Sequence, residues 1–364
     1  MRRILITGGA GFIGSNFARL LLQRKCEAIC IVDLLTYAGH RATLADLLED
    51  SRVRFDHGDI ADRDFVRRVV TEFRPDWIVN FAAESHVDRS IDSPSDFVRT
   101  NVQGTFELLE ASRSYWQNLG TEAAEQFRYL QISTDEVFGS LGPEGLFSED
   151  TAYQPNSPYS ASKAAGDHFR RAYWKTFGLP TLGTNCSNNY GPFQYPEKLI
   201  PLVLLSALAG RPIPVYGTGE NVRDWIHVED HNQAVLTVLE RASPGSSYNV
   251  GGESELTNLE IIGKLCTELE RRRPASANDS MRAVSKKDYV DLIEFVVDRP
   301  GHDERYAIDN RKIREDLAWQ PSWTVDKGLE QTVGWVLENL DWCREVGPDL
   351  GERLGLSSLA EVAT

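Results

Sequence analysis

Three features of this 364-residue chain predict an α/β fold on a doubly wound parallel sheet. Short β-rich runs ending in polar residues alternate with helical stretches through the N-terminal half. A glycine-rich turn directly follows the first run. After about residue 180 the alternation loosens into loops rich in Asn, Pro and Gly, mixed with helices, which marks a smaller lobe of mixed α/β structure. Strand–helix–strand alternation builds βαβ units, whose crossovers leave ligand sites at the C-terminal ends of the strands.

The elements follow in order. Ile4-Leu5-Ile6-Thr7 is the first strand. Its apolar run breaks at once at Thr7-Gly8-Gly9, too soon for the core of an export signal. Ile13, Phe17, Leu20 and Leu21 then recur at i, i+4, i+7 and i+8, the stripe of an amphipathic helix. Further strands are expected at Ile29–Asp33, Val53–Phe55, Trp77–Asn80 and Tyr129–Ser133, and helices around residues 101–114 and 159–177. Asn188–Pro192 and Tyr216–Gly219 read as loops, and so does the basic, polar stretch 271–279. Residues 346–364 are expected to form a peripheral helix or frayed tail.

Composition narrows the class. Hydrophobic residues make up 41% of the chain, which excludes a collagen, a disulfide miniprotein and a disordered tail. The formal charge of −15, from 54 acidic and 39 basic residues, argues against nucleic acid or an anionic membrane as a partner. Five widely spaced cysteines imply no disulfide framework and suit a reducing cytosol; Cys26 and Cys30 read as core. No apolar run approaches the ~20 residues of a membrane span.

Thr7-Gly8-Gly9-Ala10-Gly11-Phe12-Ile13-Gly14 satisfies both G-x-G-x-x-G and G-x-x-G-x-x-G. Glycine allows the tight turn and a close approach of backbone to a pyrophosphate, and the helix that follows aims its free N–H groups there. An acid, Asp33, ends the second strand, at the spacing expected for a carboxylate on the adenosine ribose. That carboxylate favours NAD over NADP, whose 2′-phosphate it would repel. Asp59 ends the third strand and suits either adenine contact or helix capping.

Tyr159 and Lys163 are four apart in a helical stretch and so share a face. A lysine cation beside a phenol is expected to lower its pKa and make it a usable base. His227 and His231 are also four apart, but without the Glu of H-E-x-x-H; they read as structural, and no metal is expected.

The chain resembles the extended short-chain dehydrogenase/reductases, and within them the nucleoside-diphosphate-sugar 4,6-dehydratases, closest to those acting on dTDP-glucose. The resemblance rests on Ser133-Thr134-Asp135-Glu136-Val137-Phe138-Gly139, Ala82 to Ser90, Asn185 to Pro192, Glu197 to Pro201, Val222 to Trp225 and Asp298 to Asp303, and spans residues 1 to about 340. Two departures stand out: Leu34 where the family often has Lys, and Phe138 for the commoner Tyr.

The resemblance implies oxidation of the sugar at C4, loss of water across C5–C6, and return of the hydride to C6, with NAD recycled. It implies Tyr159 as base toward the C4 hydroxyl, Lys163 as its partner on the nicotinamide ribose, and Thr134 on the C4 oxygen. Glu136 becomes the base at C5 and Asp135 the acid at the departing C6 hydroxyl. Cofactor contacts are implied for Gly8, Gly11, Phe12, Ile13, Gly14, Asp33, Thr36, Asp59, Ile60, Ala82, Ala83, Thr100, Tyr159 and Lys163. Substrate contacts are implied for Ser85, Thr134, Asn188, Lys198, Leu199, Pro214, Tyr216, Arg223, Asn258, Arg299 and His302. The backbone must turn just after Ser133 for both acids to converge, and Gly139 and Gly142 suit that turn.

The implied domains are an NAD-binding Rossmann lobe of residues 1–181, 221–253 and 311–345 and a sugar-nucleotide lobe of residues 182–220 and 254–310. A homodimer is implied through the 101–114 and 159–177 helices, using Phe106, Leu109, Phe169 and Tyr173. A dehydratase for a UDP- or GDP-sugar, a 4-epimerase or decarboxylase, and a non-catalytic NAD sensor remain open, the Asp135–Glu136 pair speaking against the last two.

Overall fold

A computed structural model of the protein describes residues 2–298 and 301–347. Twelve strands are found there: β1 (Arg3–Thr7), β2 (Ala28–Asp33), β3 (Val53–His57), β4 (Trp77–Asn80), β5 (Arg128–Thr134), β6 (Thr181–Cys186), β7 (Asn188–Tyr190), β8 (Ile213–Tyr216), β9 (Val222–His227), β10 (Ser247–Val250), β11 (Glu255–Thr257) and β12 (Ile293–Val296). Seven of them form a parallel sheet in the order β3-β2-β1-β4-β5-β6-β10. The direction of winding reverses between β1 and β4, and that crevice is where an open α/β sheet takes its ligand.

Both faces of the sheet are covered, as buried parallel strands require. Helices Phe12–Gln23 and Val228–Arg241 cover one face, where Phe17, Ala18 and Leu21 meet Ile4, Ile29, Val235 and Val238. Helices Arg63–Phe73, Thr105–Trp116 and Pro158–Phe177 cover the other, with Val66, Val69, Leu109 and Tyr173 against Leu5, Ile78 and Tyr129. A polar chain runs through this layer, from Thr7 Oγ1 to Asn80 Oδ1 (2.6 Å) and from Asn80 Nδ2 to Gln131 Oε1 (2.9 Å). A second core gathers helices Leu199–Leu208, Asn258–Arg272 and Val325–Glu338 around Ile200, Leu204, Ile262 and Val333. Its strands form the small sheets β11-β9-β7 and β12-β8.

Several expectations change. The third strand runs on to His57. The 101–114 helix opens with a π-helical turn, Val98–Gly104, and becomes α only from Thr105. The 271–279 stretch is not a simple exposed loop: the preceding helix continues through Arg272, where Arg271 and Arg272 pair with Glu268 and Glu330, and Ala275 and Asn278 are buried. The boundary at 181/182 cuts β6, which lies wholly in the large sheet, while β9 leaves it for a small one. Of residues 346–364, Val346 ends helix Leu340–Val346; the rest from 348 on lies outside the described residues.

Candidate active site

The cleft lies across the C-terminal ends of β1, β2, β4 and β5. Gly8, at φ +69°, turns the chain out of β1; a Cβ there would stand 2.5 Å from the Ala82 nitrogen, so only glycine lets the loop lie on β4. Gly14 is held equally close to the Gly8 carbonyl. Helix Phe12–Gln23 starts with Gly11 as N-cap, with no capping side chain and no acid in its first turn. Its first N–H groups and positive dipole end therefore face the cleft unneutralised, a fit for a pyrophosphate.

Asp33 stands beside this loop. Its carboxylate accepts the Ala10 N–H (2.9 Å) and the Leu35 N–H (2.8 Å), while burial pushes its pKa up. Asp59 accepts the Ala61 N–H (2.8 Å) and is paired to Arg99 (2.6 Å). The cap of helix Arg63–Phe73 falls to Asp62. Thr36, Ile60, Ala82, Ala83 and Thr100 complete this end of the cleft with Phe12 and Ile13.

The other end is built where β5 stops. Thr134 is its last residue, so the chain turns one position later than expected, into a 3₁₀ turn Asp135–Phe138. The Thr134 hydroxyl accepts the Glu136 N–H (3.3 Å) and lies 3.2 Å from Asp135 Oδ1. Gly139, at φ +90°, closes the turn, whereas Gly142 has open space around it and no left-handed backbone. Both acids thereby reach the cleft wall together with Tyr159 and Lys163. Phe138 stacks on Phe147 and meets Tyr153 edge-on, a packing that has no use for the missing hydroxyl.

Asp135 is 1% exposed, and burial together with Glu136 and Asp224 raises its pKa well above the carboxylate range. That direction favours the protonated carboxyl, the form that can give a proton. Tyr159 departs from expectation. Burial and the neighbouring Glu136 push its phenol up, not down. Lys163 is itself buried, with its pKa lowered, and donates to the Ile132 carbonyl at 2.7 Å. The i, i+4 spacing aligns the two side chains, but it does not itself ionise the phenol.

Among the residues implied for the sugar nucleotide, Ser85, Asn188, Lys198 and Leu199 line the same cleft. Pro214, Tyr216, Asn258 and His302 do not, and Arg223 stands behind the wall, where its charge bears on Asp135. Pro214 is exposed on β8 opposite Glu294. The Tyr216 hydroxyl donates to Asp88 (3.0 Å), and its ring meets that of His302, which is itself 2.6 Å from Asp298. Asn258 is the first residue of a helix capped by Thr257 and Glu260. The Arg223 guanidinium donates to the carbonyls of Val222 and Asp303 and lies over Tyr306. Arg299 falls outside the described residues.

The structure adds Tyr37 and Tyr195, which lie outside the motifs, and Glu84, which lies within the Ala82–Ser90 stretch but is given no role by it. Asn101 accepts the Glu84 N–H (2.9 Å) and donates to the Ser162 hydroxyl (2.8 Å), tying the end of β4 to the Tyr159 helix. His227 caps helix Val228–Arg241 and stacks on Trp323, and His231 bonds Asn189 at 2.8 Å.

Comparison with known proteins agrees with this geometry. Residues 5–332 match the model of a family described as GDP-mannose 4,6 dehydratase. The chain is 50% identical over 358 residues to a dTDP-glucose 4,6-dehydratase of Neisseria meningitidis, covering 98% of this chain and 99% of that one. With the enzyme of that name from Salmonella typhimurium it shares 46% identity, covering 94% and 95%. Among solved structures it is similar to DesIV, a dTDP-glucose 4,6-dehydratase of Streptomyces venezuelae solved with NAD bound (TM-score 0.84, 43% identity, covering 94% and 99%). A UDP-glucose 4-epimerase of Thermotoga maritima shares the fold at 25% identity (TM-score 0.78, covering 93% and 99%). Glycine turn, Tyr–Lys pair and paired acids on this sheet make the chain a member of the nucleoside-diphosphate-sugar 4,6-dehydratase family, in the group of the dTDP-glucose 4,6-dehydratases.

Proposed function

We propose that the protein converts dTDP-glucose into dTDP-4-keto-6-deoxyglucose. The observation that carries this reading is the 3₁₀ turn that sets a buried Asp135 beside Glu136, next to Tyr159 and Lys163. Epimerase chemistry on the same scaffold has no need of that pair.

The uncapped helix end, Asp33, Ala82, Ala83 and Lys163 would hold NAD, which when bound takes hydride from C4 and returns it to C6. Tyr159 removes the proton of the C4 hydroxyl as that carbon is oxidised, and Thr134 bonds the C4 oxygen. The new carbonyl makes the C5 hydrogen acidic, and Glu136 takes it. Asp135 gives its proton to the leaving C6 hydroxyl. Glu136 later returns a proton to C5, and the proton taken up by Tyr159 passes to solvent as Asp135 takes one back, which closes the cycle. Ser85, Asn188, Lys198 and Leu199 support the nucleoside-diphosphate end. The second core, around helices Leu199–Leu208 and Asn258–Arg272, is the substrate lobe in this reading.

We also propose a cytoplasmic homodimer. The described cysteines are free and buried, which suits a reducing compartment. Phe169 and Phe177 are exposed on helix Pro158–Phe177, with Phe106 packed edge-on to Phe169. Leu109 and Tyr173 are spent in the chain's own core and leave the contact to the phenylalanines.

Incubation with dTDP-glucose in deuterated water tests the activity. The product should carry deuterium at C5, and a deuterium placed at C4 of the substrate should arrive at C6. Glu136→Gln should lower the rate of elimination by about 10²–10⁴ while leaving NAD bound. Full activity in that variant removes Glu136 from the reaction.

A further inference from the structure

One turn beyond Lys163 on the same helix face lies a carboxylate that none of the steps above uses. Asp167 is 6% exposed, in the interior between helix Pro158–Phe177 and the sheet. Its Oδ2 accepts the Ser133 hydroxyl at 2.6 Å and the Tyr153 hydroxyl at 3.1 Å. Ser133 is the residue before Thr134. Tyr153 in turn accepts from Asn185 Nδ2 (3.2 Å), and the same amide donates to the Thr134 carbonyl (3.1 Å). A closed set of bonds therefore joins the helix bearing Tyr159 and Lys163 to the strand end bearing Thr134, Asp135 and Glu136.

The charges point the same way. The groups facing Asp167 are Lys163 and Arg170 from its own helix, Tyr153 from the loop before it, and Ser133 and Tyr129 from β5. Tyr153 also packs on His168, and Cys186 of β6 faces Lys163. Burial disfavours the Lys163 ammonium and Asp167 opposes that effect; burial also raises the pKa of Asp167, with Ser133, Arg170, Lys163 and Tyr153 favouring its ionised form. Arg170 is fixed by Ser247 (2.6 Å) in space that Gly183 leaves open.

We propose that Asp167 is a positioning residue for the Tyr159–Lys163 pair, locking the catalytic helix to the end of β5 through Ser133 and Tyr153 and setting its carboxyl one helical turn behind Lys163. This rests on the dehydratase reading for its activity readout only. Asp167→Asn keeps the shape and removes the charge. It should lower kcat at least tenfold with KM within about twofold, and move the alkaline limb of the kcat–pH profile down by about one unit as Lys163 loses its proton more easily. In NAD-stripped protein the pH at which NAD affinity falls, read by tryptophan fluorescence, should move the same way. Tyr153→Phe leaves the charge in place. It should lower kcat severalfold with the alkaline limb unmoved.

A wild type that turns over no sugar nucleotide defeats the dehydratase reading, and the NAD titration then decides alone. An active wild type whose Asp167→Asn variant keeps both kcat and limb overturns the proposal. Should that variant not fold, Asp167→Glu is read instead: loss of kcat with the limb retained supports the lock, and unchanged kcat overturns it.

Discussion

Asp135 and Glu136 are sequence neighbours with different proposed duties, and burial distinguishes them. Burial, with Glu136 and Asp224 beside it, pushes the Asp135 carboxyl well above its usual pKa, because ionising it would place a charge in the interior; Asp224 is itself raised to about 6. The consequence for stability has a definite sign. Between the ordinary carboxylate value of ~3.9 and the raised one, the folded chain holds a proton that the unfolded chain has lost. Stability carried by Asp135 is therefore complete below ~pH 4 and declines as pH rises through its folded pKa. Asp135→Asn removes the decline, so its melting temperature should gain on the wild type steadily from about pH 4 upward. The same variant lacks the proton for the C6 hydroxyl and should lose about 10²–10⁴ in kcat. Parallel melting curves across that range would show that Asp135 is not held neutral.

At the scale of elements, the site depends on β5 stopping where it does. The 3₁₀ turn is closed by Gly139 at φ +90°, and a Cβ there would meet the Gln154 carbonyl at 2.6 Å. Gly139→Ala should cost about 1–3 kcal/mol of stability through backbone strain and lower kcat by displacing Glu136. Calorimetry and steady-state rates check both, and an unchanged kcat would mean the turn does not position the acid. Much of this architecture was legible beforehand. β1 to β5 announce themselves as apolar runs ending in polar residues, and the Gly8–Gly14 turn, Asp33 and the Tyr159–Lys163 spacing are local patterns. What stayed hidden is non-local. β7 to β9, β11 and β12 are three to six residues long, and short runs do not reveal that Tyr216 meets His302 or that Arg223 lies over Tyr306, where its charge bears on Asp135. The end of the helix at Arg272 depends on Glu330, far along the chain. Lys163 turns to the Ile132 carbonyl, a contact that spacing along one helix does not encode.

For the whole molecule, the charge of −15 has to be reconciled with a cleft built for anions. Surface charges act over a screening length of ~8 Å at physiological salt, so their field reaches the cleft weakly. Within it, the proposed dinucleotide end presents backbone N–H groups at the start of helix Phe12–Gln23, with no acid in the first turn to oppose them. Such donors are fixed partial charges, partly shielded from mobile ions, and need no arginine. A site dependent on exposed lysines or arginines would weaken steeply as salt rises. The NAD affinity of the stripped protein should therefore change by less than about threefold between about 0.05 and about 0.5 M salt. Isothermal titration at the two salt concentrations measures it. A loss of tenfold or more would assign the pyrophosphate to side-chain cations and take the glycine turn out of its central place.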